Sequence, residues 1–373
     1  MFDTDSIQLP TCSITAAAVQ GSRPHFEDRI DVHVGPSHET PFVYGAVFDG
    51  HGGPAAATFA QTRLFEILKK SDSFLSPVRQ TFADSVAAGF KQLQAEMKVD
   101  SPNWTLQNGI PRDGTTASIA VLTPSYLMLA NVGDSPIYVV TRDENNKLEA
   151  TMAVKLHSAN YAPDHARIKA AGGVVKDLRG SPGVKRAKPN KGQFNGCVRM
   201  TRALGDFWMQ DANCVARAGD LSAMPILSHM PMVYFYEVTN LAYVIVASDG
   251  CKLMPRAIAI VLMEMEKDEI QAEEGADPVN PAQRIMAEIH KLTKSEWKMH
   301  DNISIVGLRI QNDQLSDEVS PPQPTDITHL TPNFAKEDSL AFTLSGQTLK
   351  TSKTETLPDY SIFKRSNHVI TYG

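Results

Sequence analysis

Cysteine is scarce in this chain. Four residues of 373 (Cys12, Cys197, Cys214 and Cys251) show neither zinc-type spacing nor the density of a disulfide scaffold, which points to a reducing compartment. Apolar runs of membrane-spanning length are absent, and the acidic N-terminal segment lacks a secretory pattern. Phe2 stands where N-myristoylation requires glycine. The expected address is therefore the cytosol, the nucleus or both, with no membrane partner. Nor is there an excess of positive charge: 36 Lys and Arg against 42 Asp and Glu leave a net −6, so nothing in the balance calls for nucleic acid. No internal repeat stands out. What remains is ordinary globular material, 42% hydrophobic and 21% charged, enough for one large core or two smaller ones.

Against that plain background, four times an apolar run meets an aspartate beside glycine or asparagine. Val43–Phe48 runs into Asp49-Gly50, and Leu127–Val132 into Gly133-Asp134. Leu241–Ala247 leads to Ser248-Asp249-Gly250, while Asp301-Asn302 opens Ile303–Ile310. Short runs rich in Val, Ile and aromatics read as buried strands. One Asp-Gly after a strand is usually only a turn. Four carboxylates at strand ends can converge on one rim of a sheet, where oxygen ligands suit a hard divalent cation.

Around these runs the pattern alternates strand groups with helix pairs. Strands are predicted at Cys12–Gln20, Ile30–Val34 and Phe42–Phe48, followed by two helices. The first has Pro54 near its start and Ala56, Ala60, Leu64 and Ile67 on one face; the second carries Val78, Phe82, Val86, Phe90, Leu93 and Met97 at helical period. A hairpin spans Thr115–Leu122 and Tyr126–Val132, with strands near Ile137–Thr141 and Leu148–Lys155. Pro163–Ala171 is a short helix stopped by Gly172-Gly173. Strands at Met232–Val238 and Leu241–Ala247 precede two more helices near Pro255–Lys267 and Pro281–Leu292. This grouping argues for α+β layers over a doubly wound parallel sheet.

Two segments depart from the pattern. Lys176–Arg199 holds seven basic residues and one acid, Asp177, among many glycines, and reads as an irregular, mobile surface excursion. From about residue 312 to 373 the chain turns Ser/Thr/Pro-rich, as in Pro321-Pro322-Gln323-Pro324, which predicts a disordered tail. Its pairs Ser320-Pro321 and Thr331-Pro332 could accept phosphates. The expected organisation is an N-terminal extension over 1–11, one domain over 12–311 and the tail over 312–373.

Seven motifs now combine: Arg23-x-x-x-Glu27-Asp28, Phe48-Asp49-Gly50-His51-Gly52-Gly53, Asp113-Gly114-Thr115-Thr116-Ala117, Asn131-Val132-Gly133-Asp134-Ser135, Thr201-Arg202-Ala203-Leu204-Gly205-Asp206, Ser248-Asp249-Gly250 and Asp301-Asn302. In order and spacing the chain resembles the metal-dependent protein phosphatases of the protein phosphatase 2C type, over roughly residues 12–310. Each motif is weak alone; the ordered set is specific. The resemblance implies an α+β, four-layer αββα sandwich, two central antiparallel sheets flanked by helix pairs. It also implies a monomer that hydrolyses phosphoserine and phosphothreonine in phosphorylated proteins.

At one end of such a sandwich the resemblance implies two Mg²⁺ or Mn²⁺ ions. Asp49 would bridge them, Glu27 and the Gly50 carbonyl would serve one ion, and Asp249 and Asp301 the other. Asp28 matches a supporting position behind these ligands. Asp134 with Asp249 matches a weaker third-metal position. Two divalent ions about 3.5–4 Å apart can share a water and ionise it near neutrality. The resulting hydroxide attacks phosphorus in line without a covalent phosphoenzyme. Arg23 matches the phosphate-binding arginine, whose planar fork addresses two oxygens at once. His51 matches the proton donor to the departing serine or threonine oxygen, a role worth roughly 10²–10⁴-fold. The basic excursion falls where the family has a flap beside the site, so Lys185, Arg186, Lys188 and Lys191 are expected to steer acidic phosphopeptides.

Departures from the family pattern concern other residues. Cys251-Lys252-Leu253 replaces an aromatic and acidic pair, Pro136 an arginine, and Leu156 the aspartate of an Asp-His pair completed by His157. Asp206 reads as a structural hydrogen-bonding group and Cys251 as a small buried hydrophobe. Two alternatives stay open: a catalytically weak or dead scaffold, and a hydrolase of small phosphoesters.

Overall fold

The apolar runs become strands covered on both faces. In β3 (Thr40–Phe48) Val43 and Val47 enter one core, while Phe42, Tyr44, Ala46 and Phe48 enter another. β16 (Leu241–Ala247) does the same with Leu241, Val244 and Val246 against Tyr243, Ile245 and Ala247. Side chains alternate across a pleated strand, so burial on both faces requires a layer on each side. The computed structural model supplies those layers. It describes residues 11–37, 40–104, 106–107, 110–171, 173–178, 181–189, 197–210, 226–271, 280–296, 301–311, 328–330, 338–344 and 364–367.

One sheet joins β11 (Leu148–Met152), β10 (Ile137–Arg142), β16, β17 (Ile303–Gln311) and β1 (Thr11–Val19) in that order, all antiparallel. The other joins β15 (Met232–Tyr236), β9 (Leu127–Val132), β8 (Ala117–Leu122), β3 and β2 (Arg29–Ser37), again antiparallel. The sheets share an aliphatic core that includes Ile14, Val32, Val43, Leu129, Val244 and Leu308. Gly45 lets them approach: a Cβ there would lie 2.8 Å from a methyl carbon of Val306.

Helices α1 (Ala55–Leu68) and α2 (Arg79–Asp100) cover the second sheet through an aromatic cluster. Phe42, Phe65, Phe74 and Phe82 sit there with ring centroids 5.5–6.1 Å apart. Truncating any such buried aromatic costs about 3–5 kcal/mol. The expected face of α1 is buried, and so is that of α2 from Phe82 to Met97. Val78 is the exception: it precedes α2 as the N-cap residue and is 59% exposed. Leu64, Leu68 and Phe82 bury enough surface to seat the helices without it. A minor hairpin of β5 (Leu106–Gln107) and β6 (Ile110–Pro111) follows α2.

The basic excursion is more regular than its composition suggests. It follows α3 (Ala162–Ala170), and there β12 (Gly173–Leu178) and β13 (Ser181–Pro189) form an antiparallel hairpin that sets Lys176 opposite Arg186 and Asp177 opposite Lys185. Ile168 of α3 joins a small core with Val198, Ala203, Ile226 and, from the single turn α4 (Phe207–Gln210), Trp208. On the first sheet lie α5 (Pro255–Gln271) and α6 (Pro281–Glu296), with Ile258, Leu262, Met265, Ile285 and Ile289 facing the strands. The fold is thus α+β, with the two sheets inside and a helix pair outside each.

In the expected tail, β18 (Thr328–Leu330) pairs with β2, β19 (Asp338–Leu344) with β1, and β20 (Lys364–Asn367) with β19. These three pairings fall within the segment expected as a tail. The physical reason for them is the unpaired edge that β1 and β2 present, a template for any nearby extended segment. The expectations for residues 1–10, Lys191, Ser320-Pro321 and Thr331-Pro332 lie outside the described residues.

Candidate metal and phosphate site

Strand register brings the motif aspartates to one end of the sandwich. Val19 pairs with Ile303, Arg29 with Phe48, Ile137 with Val246 and Ala117 with Val132. The segments just beyond these pairs carry Glu27-Asp28, Asp49, Asp134, Asp249 and Asp301. Residues up to 274 positions apart therefore share one rim, from Glu27 to Asp301.

Hydrogen bonds fasten the segments that carry Glu27, Asp49, Asp249 and Asp301. The Asp49 backbone N–H donates to Thr116 Oγ1 at 3.1 Å, and Thr116 N–H donates back to the Asp49 carbonyl at 3.0 Å. Asp49 Oδ2 accepts from the Asp249 N–H at 3.2 Å, which ties two proposed ligands together across 200 residues. Asn302, 5% exposed, fastens the Glu27 loop: its Nδ2 donates to the Gln20 and His25 carbonyls at 2.7 and 3.1 Å, and its Oδ1 accepts from the Glu27 N–H at 2.8 Å. Arg23 reaches the same loop end and donates to Asp301 Oδ2 at 2.8 Å.

The rim is crowded with negative charge. Burial, then the charges of Asp28, Asp249 and Asp134, hold the Asp49 carboxyl well above the usual range. Burial pushes Asp28 up to about 7, and the Asp249 and Asp301 charges add to this. Asp134 rises to about 6 through burial and the Asp249 charge. Asp249 and Glu27 are raised mainly by burial as well. Among the described residues, Asp28 Oδ2 and Asp134 Oδ2 are buried without a hydrogen-bond partner. Among the same residues no three His, Cys, Asp or Glu side chains are gathered around one ion-sized point. Arginines partly offset the charge instead, Arg23 on Asp301 and Arg199 between Asp249 and Asp134.

His51 lies in β4 (Gly50–His51), which pairs with β7 (Gly114–Thr115); β7 in turn pairs with β14 (Leu204–Gly205). This small sheet sets His51 Nε2 2.7 Å from Asp206 Oδ2. Asp206 is fully buried, holds φ at +49°, accepts from Trp208 Nε1 at 2.9 Å and donates its N–H to the Asp113 carbonyl at 2.9 Å. Gly114 leaves room for the pair, since a Cβ there would lie 2.2 Å from Asp206 Oδ2 and 2.4 Å from His51 Nε2. Burial works against a proton on His51, but the Asp206 charge and hydrogen bond prevail and raise its proton affinity. His51 Nδ1 has no partner among the described residues.

The motif marks Asp206 as a hydrogen-bonding group but does not single out His51 as its partner. Arg199 carries no signal at all, because an isolated arginine beside a glycine-rich stretch resembles any surface charge. Asn302 is visible only as half of a dipeptide. Among the departures, Leu156 packs against the inter-sheet core, and buried His157 accepts the Gly133 N–H at Nδ1, 3.1 Å away. Cys251 is buried at 3% exposure, and burial pushes its thiol up to about 12, so it packs as a small apolar group.

Known proteins resemble this chain in sequence and in fold. The family model described as Protein phosphatase 2C matches residues 14–255, which leaves Asp301 to be brought in by the fold. "Probable protein phosphatase 2C 52" of Oryza sativa subsp. japonica is 26% identical over 312 residues, 82% of this chain and 52% of that protein. "Protein phosphatase 1L" of Bos taurus is 29% identical over 244 residues, 64% of this chain and 59% of that protein. The chain thus spans between half and three-fifths of these relatives' lengths. A serine-threonine phosphatase 2C from Toxoplasma gondii superposes with TM-score 0.66 at 19% identity, covering 82% of this chain and 96% of the other. At that identity the likeness concerns the fold. Since the family match runs through more than half of the sequence and the layers agree, this chain belongs to the protein phosphatase 2C family.

Proposed function

We propose that this protein is a metal-dependent protein serine/threonine phosphatase. The observation that carries the reading is the rim itself: Glu27, Asp28, Asp49, Asp134, Asp249 and Asp301 come from five separate segments, burial above all raises the proton affinities of the first five with like-charge repulsion adding to it, and one oxygen each of Asp28 and Asp134 is buried without a hydrogen-bond partner among the described residues. An all-oxygen donor set with surplus negative charge fits hard divalent cations, Mg²⁺ or Mn²⁺. In this reading Glu27, the Gly50 carbonyl, Asp49, Asp249 and Asp301 hold two ions, with Asp28 steadying them from behind. When bound, such ions supply an ionised water and neutralise phosphoryl oxygens.

The chain's own groups do the rest. Arg23, half exposed at the mouth, exchanges one oxygen of Asp301 for the non-bridging oxygens of a phosphoserine or phosphothreonine. Its planar fork fixes the phosphorus for in-line attack. His51, whose proton affinity Asp206 raises against the effect of burial, gives its proton to the departing serine or threonine oxygen. The alkoxide is a poor leaving group without it.

The test is turnover of phosphothreonine peptides, p-nitrophenyl phosphate and small metabolite phosphates, with Mn²⁺, with Mg²⁺ and with a chelator. Metal-dependent peptide hydrolysis is expected. Turnover that survives chelation, or that is confined to metabolite phosphates, would overturn the reading.

A further inference from the structure

Among the described residues, Arg199 is the one cation ion-paired to two rim carboxylates. Its Nη1 donates to Asp249 Oδ2 at 3.3 Å, and its Nε lies 3.8 Å from Asp134 Oδ2. The side chain is 54% exposed, yet its backbone is pinned. The Arg199 carbonyl accepts from the Ala159 N–H at 3.0 Å, Met200 bridges to Ser158, and Val198 is buried in the small core below the hairpin. Asp134, in contrast, is 6% exposed, and its Oδ2 has no hydrogen bond among the described residues. The guanidinium thus reaches from outside toward a buried carboxylate whose oxygen is otherwise unmet.

Resting on the metal-dependent reading above, we propose that Arg199 is a tethered cation that takes the place of a third metal ion between Asp134 and Asp249. A guanidinium and a divalent ion cannot share these two carboxylates. The ion needs their oxygens at about 2.0–2.6 Å with several further oxygen ligands, and the fork of Arg199 lies across that approach. Their binding is therefore mutually exclusive, and each weakens the other by the same factor. The protein runs with two exchangeable ions and one built-in charge, so its demand for free metal is lower than a three-ion site would impose.

The experiment is calorimetric titration of the full, metal-free chain with MnCl₂, with free Mn²⁺ followed by electron paramagnetic resonance. Wild type is expected to take up two equivalents. Arg199→Ala and Arg199→Gln are expected to take up a third, bound at least about tenfold more tightly than any third event in wild type, within the usual ~5–150-fold range of coupling between sites. The added event should vanish in the double variant Arg199→Ala/Asp134→Asn. Because Arg199 is exposed, neither variant is expected to alter the circular dichroism spectrum. Identical isotherms for wild type and both variants would overturn the inference while leaving the metal-dependent reading intact. An absence of Mn²⁺ binding in every protein would overturn both.

Discussion

Asp206→Asn separates proton donation from every other role at this site. The substitution is nearly isosteric. Asparagine tolerates the left-handed φ of +49° better than most residues, and its carbonyl can keep accepting from Trp208. What it removes is the charge 2.7 Å from His51 Nε2. A buried hydrogen bond between charged partners contributes about 1.5–3 kcal/mol. If that preference for protonated His51 is used in protonating the leaving oxygen, its loss is worth about 10–100-fold in rate. Phosphothreonine peptides should lose that much kcat. p-Nitrophenyl phosphate, whose phenolate departs without a proton, should lose less than about threefold. The sign of the pH effect follows. Asp206 raises the proton affinity of His51, so removing it moves the alkaline fall in peptide kcat toward lower pH. The assay is steady-state kinetics of both substrates in saturating Mn²⁺ from about pH 5.5 to 9, a range that brackets ordinary histidine titration. Equal losses on both substrates, with an unmoved alkaline limb, would show that the pair only positions β4, and the proton-donor argument would fail.

Asp49→Asn should cost several orders of magnitude in activity, yet the metal-free variant should melt above metal-free wild type, because it relieves a buried like-charge cluster; a lower melting temperature without metal would show that like-charge repulsion does not govern the empty rim. Asn302→Ala removes three hydrogen bonds around the Glu27 loop and should destabilise the protein by about 2–4 kcal/mol in urea titrations, with weakened Mn²⁺ binding. Replacing Lys185, Arg186, Lys188 and Lys191 with serine should raise KM for acidic phosphopeptides at low salt only, since exposed charges are screened beyond about 8–10 Å near physiological ionic strength, and should leave p-nitrophenyl phosphate turnover unchanged. His157 is buried neutral, with its proton affinity lowered to about 3, so it favours the native state fully above the unfolded value near 6.5 and progressively less as pH falls toward 3. The stability gap between wild type and His157→Gln should therefore shrink by about 1.4 kcal/mol per pH unit below about 6.5, and a gap that is constant with pH would refute this.

The strands and helices are legible because each answers to a local rule. Val43–Phe48 and Leu241–Ala247 are apolar on both faces, so they have to be inner strands with a layer on each side. Ala56, Ala60, Leu64 and Ile67 repeat at the helical period and all are buried. Val78 breaks the rule because periodicity cannot see where a helix begins; capping geometry puts it one residue outside. The hairpin at β12 and β13 is hidden by composition, since Lys185, Arg186 and Lys188 say nothing about backbone pairing. Unpaired sheet edges likewise leave no mark on the sequence of whatever adds to them, and β18 and β19 are unforeseeable for that reason.

The site divides along the same line. Aspartates beside glycine at strand ends can be found by reading along the chain, but what they do to one another depends on register. The link from the Asp249 N–H to Asp49 spans 200 residues, and that from His51 to Asp206 spans 155. No local rule connects such pairs; the packing of the two sheets on their shared core brings the first together, and the pairing of β4, β7 and β14 the second. Charge sharpens the point. An Asp in a turn is ordinary, whereas six carboxylates on one rim, Asp28 and Asp134 among them buried, concentrate negative charge that cations supplied from outside or arginines from within must offset. The sequence marks Asp49, Asp134, Asp249 and Asp301 plainly because glycine or asparagine stands beside each. It hides Arg199, whose long side chain reaches the rim from a backbone position that imposes no pattern, and shows Arg23 only through the motif it shares with Glu27-Asp28. A reading from sequence therefore finds the anions first and the groups that balance them last, and it is the balance that decides how many metal ions the rim can accept.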